Sequence, residues 1–182
     1  MSRNIVKAVL FLIAVFLAYK VWDSIAGEIR YQEEVARVEA DVIAKLEKIQ
    51  KLQMLHKDEY GEFEANWDSL IHFGNYGHMK IIREYGDKDD STSVYRREVE
   101  RISIKDSLYP AYNLDSLPYV PHNEKGEKFI MNANIITQNN VKVPVFEVKD
   151  PSPFSKERND PDSPNPLTVG SLTEAKYSGN WK

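Results

Sequence analysis

The chain has 182 residues, 42% of them apolar and 29% charged, a net charge of -4 at neutral pH, and no cysteine. That length suits one modest domain with extensions, and the absence of cysteine excludes disulfides, thiol catalysis and thiolate metal sites. Charges of both signs are mixed along the chain with no basic stripe, so nucleic acid is not an expected partner.

The first 27 residues read as a membrane anchor. Arg3 and Lys7 precede twelve residues without a charge, Ala8 to Tyr19, and Lys20 follows. The apolar block from Ile5 to Trp22 is 18 residues long, within the roughly 17–25 that a bilayer-crossing helix needs. Val9, Leu10, Phe11, Leu12, Ile13, Val15, Phe16 and Leu17 are its lipid-facing candidates. Tyr19 and Trp22 sit where interfacial aromatics belong, and Lys7 and Lys20 are placed to snorkel toward the two headgroup layers. Arg3 and Lys7 favour a cytoplasmic N terminus, with the bulk of the chain extracytoplasmic. Ser24-Ile25-Ala26 before Gly27 offers a second reading, a signal peptide cleaved after Ala26. Lys20, Trp22 and Asp23 make a poor approach to a peptidase, and the helical pattern runs on beyond Gly27.

From Glu28 to Tyr60 the sequence is amphipathic. Val35, Val38, Val42, Leu46, Ile49, Leu52 and Leu55 recur at steps of three and four and share one helical face. Glu, Lys, Arg and Gln, good helix formers, fill the other. With no proline before residue 110, a continuous helix from about Asn4 to Asp58 is expected, roughly 80 Å long. The steps slip after Ile49, so the stripe reads as a core face rather than a sustained coiled-coil seam. Gly61 is placed to end this helix in the left-handed region. Asn66 then fits the N-cap of a short helix Trp67–Phe73, with Gly74 beyond its end.

Residues 61–149 are expected to complete one domain with the core helix. The stretch 78–86 reads as a strand, "GDKDDSTS" as a polar connection, and Ile102–Leu108 as extended. The clearest β signal is Phe129–Ile136, which alternates, followed by Asn139-Asn140 and "VKVPVFEV" as a hairpin. Pro144 cannot donate to a ladder, so Val143, Pro144, Val145 and Phe146 are expected at a sheet edge, a candidate interaction surface. Residues 150–182 hold five of the nine prolines and read as an irregular extension. Leu167, Val169, Leu172, Tyr177 and Trp181 make its last part apolar enough to pack back on this subunit or a neighbour.

Chemistry-bearing motifs are few. There is no phosphate-binding glycine loop, no G-x-S-x-G and no H-E-x-x-H. The four histidines are scattered, and "DKDD" (87–90) lacks the spaced acidic loop of a calcium site. No catalytic residue, metal ligand or cofactor site is expected. The fold class is therefore α+β: a single-pass transmembrane helix continuing into a long amphipathic helix, packed on a small antiparallel sheet. Function is expected to be assembly, with membrane lipid, other envelope proteins or further copies of the chain as partners. The alternatives are an anchored extracytoplasmic ligand- or protein-binding module, or a secreted globular protein released after Ala26.

This order of elements resembles the type IV pilin and type II secretion pseudopilin superfamily over residues 5–149. Tyr60-Gly61-Glu62-Phe63 followed by Trp67-Asp68-Ser69-Leu70 is similar to the segment that follows the pilin helix, and 116–135 resembles the later strands of small pseudopilins. The resemblance implies a pilin-like subunit of a bacterial envelope secretion or surface apparatus, in the inner membrane with a periplasmic domain. Two positions differ from the family: no glycine precedes the apolar block, and position 5 is Ile5 rather than glutamate.

Overall fold

The computed structural model describes residues 3–85 and 96–181. Helix α1 spans Arg3–Tyr60 and α2 spans Trp67–Tyr76. Strands β1 (His78–Tyr85) and β2 (Arg96–Ser103) form an antiparallel ribbon, followed by the short helix α3 (Ile104–Leu108) and a 3-10 turn at Leu114–Ser116. Strands β3 (Ile130–Gln138), β4 (Val141–Lys149) and β5 (Thr168–Gly170) form an antiparallel sheet in that order. The protein is α+β, with a long N-terminal apolar helix and small antiparallel sheets. Two compact units divide between Ala40 and Asp41. The "DKDD" stretch falls outside the described residues.

The described residues of the first unit are all helical, and the apolar side chains from Ile5 to Ile29 are exposed or half-exposed. In the second unit, Val42, Leu46, Ile49 and Leu52 of α1 are buried together with Leu70 and Phe73 of α2, and with Val145, Phe146 and Val148 of β4. Gly61, at φ +83°, receives the chain as α1 ends and donates its N–H to Lys57 O; Phe63, just beyond, packs its ring 4.6 Å from that of Phe146. At the other turn that needs positive φ, Asn139 (51°) and Asn140 (63°) close the two-residue hairpin between β3 and β4. This is the twist-matched geometry that asparagine tolerates.

Two expectations are corrected. Helix α2 runs through Gly74 to Tyr76 and ends at Gly77. Gly74 is an interior residue packed close to two leucines: a Cβ there would stand 2.9 Å from Leu114 Cδ1 and 3.2 Å from Leu52 Cδ2, so those side chains would have to shift to admit one. The strand expected at Ile102–Leu108 ends at Ser103, whose side chain accepts the Asp106 N–H and caps α3. Local capping overrides the extended reading. Strand β4 lies between β3 and β5, but β5 pairs only with Glu147, Val148 and Lys149, so Val143, Pro144, Val145 and Phe146 have a strand neighbour on the β3 side alone, a local edge as the proline implies. Opposite Ile135 and beyond the end of β5, the Pro144 carbonyl accepts the Tyr177 hydroxyl at 2.9 Å.

The Pro-rich segment belongs to the second unit. Leu167 and Val169 are buried, Asp150 N donates to Leu167 O, and Gln50 Nε2 of α1 donates to Tyr177 O at 2.6 Å. The Tyr177 ring stacks 6.2 Å from Phe146 and carries Lys57 Nζ 4.7 Å from its centroid. The apolar tail residues therefore pack on this subunit.

Candidate functional site

Helix α1 is long and apolar enough near its N terminus to cross a membrane. Val9, Leu10, Phe11, Leu12, Ile13, Val15, Phe16, Leu17, Tyr19 and Trp22 are between 46% and 74% exposed. Exposure on all sides distinguishes this segment from a core helix, which hides one stripe and shows the other. Water is an unfavourable neighbour for such a surface, at about 25 cal/mol per Å².

The expected core stripe changes character along α1. Val35, Val38, Val42, Leu46, Ile49 and Leu52 are buried, whereas Leu55 is half-buried. Two polar side chains that periodicity had passed over, Gln53 and His56, are buried near it. Gln53 Nε2 donates to Glu64 O at 2.6 Å, and Glu64 N donates back to Gln53 Oε1 at 3.0 Å. His56 Nδ1 donates to Glu62 O at 2.8 Å. Both pin the turn after α1 to the helix. Further along, Lys45 Nζ donates to Ser116 O at 2.9 Å and Tyr119 O at 2.7 Å. Burial, then the neighbouring Lys48, holds its ammonium below the usual lysine range. It is a clamp on the 116–119 turn.

The expected interaction edge is not an open surface. Val145 and Phe146 are fully buried, and Val143 and Pro144 are half-buried. The β1–β2 ribbon is more accessible, with Ile82 facing its register partner Val99 on an exposed face. Glu59 at the end of α1 engages Lys80 at 2.9 Å and Arg101 at 3.2 Å. The Lys80 hydrogen bond, with the two positive charges, holds the Glu59 carboxyl below its ordinary range.

One cleft brings together residues that lie within 22 positions of each other. The last turn of α1 supplies His56 and Tyr60, the connecting turn Glu64, and α2 supplies Asp68, Ser69, His72, Phe73 and Tyr76, enclosing about 510 Å³. The Asn66 side chain accepts the Asp68 and Ser69 N–H groups and starts α2 at this point. Rings converge here: His56 lies 4.7 Å from Tyr60 and 5.1 Å from Phe73, Tyr60 lies 5.7 Å from Phe73, and His72 lies 4.9 Å from Tyr76. His56 Nε2 faces Glu64 Oε2 at 4.0 Å. Among the described residues no three His, Asp or Glu side chains group to hold a metal ion. The local signal for this cleft was present in "HKDEYGEFEANWDSLIHFG", whose aromatics and acids sequence reasoning assigned only to docking the turn. No family model, no curated protein and no solved structure matches this chain.

Proposed function

We propose that this chain is a single-pass membrane protein that acts as a non-catalytic, pilin- or pseudopilin-like structural or assembly subunit of a bacterial envelope secretion or surface apparatus. The observation that carries the reading is the uniformly exposed apolar surface from Val9 to Trp22 on a helix that also supplies the core stripe Val42–Leu52. Lipid, or the apolar helices of other subunits in lipid, satisfies that surface. Arg3 and Lys7 favour an N terminus in the cytoplasm, which puts the α+β domain in the periplasm. An anchored ligand-binding module is the second reading, favoured by the cleft between α1 and α2.

The test is intact mass of the protein extracted from native membranes, with protease accessibility in right-side-out vesicles and native-gel size. A full-length mass, an exposed C-terminal domain and a large complex are expected. Replacing Ala8–Tyr19 with an unrelated apolar helix should keep the protein in the membrane and dissolve the complex. An unchanged complex transfers the case to the binding module, and a mass starting at Gly27 in the soluble fraction overturns the anchor.

A further inference from the structure

We infer that strand β1 is an interface between two copies of this chain, which pair antiparallel about Ile82 and join their ribbons into one four-stranded sheet. The interface lies wholly in the second unit, so it does not rest on the anchor or on the secretion reading.

The β1–β2 ribbon is a sheet of two strands, and β1 pairs with no strand but β2 among the described residues. Its outer row of N–H and C=O groups is therefore open to another strand. No proline or glycine blunts that edge between His78 and Tyr85. Lys80, Ile82 and Glu84 share one face of the ribbon, and Met79, Ile81, Arg83 and Tyr85 share the other. Ile82 and its register partner Val99 are 49% and 59% exposed.

The order of charges along β1 identifies the occupant. In a two-fold antiparallel pair centred on Ile82, Lys80 of each copy stands opposite Glu84 of the other, and Met79 opposite Tyr85. Ile82 meets its own equivalent. The register with β2 extends the match across the joined sheet. Val99 and Ile82 of one copy continue into Ile82 and Val99 of the second copy as one apolar row. The next row runs from Arg101 and Lys80 to Glu84 and Arg97 of the second copy. Glu59 already engages Lys80 at 2.9 Å and Arg101 at 3.2 Å, and Arg97 lies 3.9 Å from Glu84. Along that row every charge has neighbours of opposite sign. A lysine ammonium, with three donors, serves Glu59 and the incoming Glu84 together.

Other registers lack this match. A shift of one residue sets Arg83 against Lys80 or against Ile82. A shift of two sets Arg83 against its own copy, or Lys80 against Ile82. Strand β2 is not self-complementary either: paired about Val99 it would set Arg97 against Arg101 and Glu98 against Glu100. Like charges placed directly opposite are destabilising.

The chain has no cysteine, so a single introduced thiol reports the contact without background. The experiment is disulfide formation under mild oxidation by the full-length Ile82→Cys and Val99→Cys variants in an uncharged maltoside detergent, with sedimentation of the parent. Opposed residues lie about 4.5–5.5 Å apart at Cα, within disulfide reach. The two Val99 positions would be ~14 Å apart, three strand spacings. A covalent dimer at position 82 and none at 99, although Val99 is the more exposed, is expected. Glu84→Lys should weaken self-association about tenfold, since it puts like charge opposite Lys80 in both halves. Mixed with Lys80→Glu, it should form a pair tighter than either variant makes with itself, because each opposed charge then differs in sign. Unchanged circular dichroism shows that the variants keep the fold. Equal cross-linking at 82 and 99, none at 82, or a mixture no tighter than its components overturns the inference. A complex that survives Glu84→Lys and dissolves when Ala8–Tyr19 is replaced overturns it and leaves the proposed assembly role intact. Cross-linking of Ile82→Cys in native membranes to a different protein alone overturns the second copy as the occupant.

Discussion

Gln53 is the sharpest test of how the turn after α1 is held. Its side chain is fully buried, and its amide makes a reciprocal pair with the backbone of Glu64, at 2.6 and 3.0 Å. Replacing it with leucine keeps most of the volume and removes both bonds. Each net hydrogen bond is worth about 1 kcal/mol, and a buried group left unpaired costs about 1–3 kcal/mol. Glu64 is only half-buried, so water repairs part of the loss. The Leu variant should therefore lose about 2–3 kcal/mol. Gln53→Ala adds a cavity next to Met131, whose sulfur lies 3.1 Å from Gln53 Nε2, and should lose about 3–5 kcal/mol. Urea unfolding followed by tryptophan fluorescence measures both. A Leu variant within about 0.5 kcal/mol of the parent, the range of an inconsequential surface change, would show that the turn is not held through Gln53.

Two further outcomes follow from single positions. Gly170 sits at φ +81°, and a Cβ there would lie 2.1 Å from Phe146 O; Gly170→Ala should detach β5 from β4 and cost about 3 kcal/mol, read as faster amide exchange at Val148 and Val169 with a lowered melting temperature, and unchanged exchange would refute it. Tyr109 is buried, donates its hydroxyl to Lys48 O at 3.0 Å, and has its pKa pushed up to about 12 by burial first and Tyr112 second. Its folded value lies above the unfolded one, so its contribution of about 3 kcal/mol is complete below pH ~10 and is lost as pH rises from there through about 12. Urea midpoints between pH 8 and 12 should fall more steeply for the parent than for Tyr109→Phe; identical slopes would refute the assignment.

Elements governed by neighbouring residues were legible before any fold was known. The expected helix from about Asn4 to Asp58 is observed as Arg3–Tyr60, in a stretch that no proline interrupts and that Gly61 ends. Asn66 caps α2, and Asn139-Asn140 turns the hairpin, for the same reason: each choice is made by one side chain and its own backbone. The apolar stripe located the buried face but not Gln53 and His56 beside it, since a polar residue's burial depends on what acceptor a distant or reversing segment brings to it.

The sequence by itself determined the helix, its exposed apolar segment, the caps and the hairpin, because these follow from side-chain chemistry acting over a few residues. Only the tertiary structure decided that Gly74 lies inside a helix, packed close to Leu52 and Leu114. It alone brought the Tyr177 hydroxyl to the Pro144 carbonyl. The cleft, too, is a tertiary outcome. Its acids and aromatics lie close in sequence, but they face one another only because the turn at Gly61 folds α2 back beside α1, and proximity in space is set by packing rather than by order along the chain.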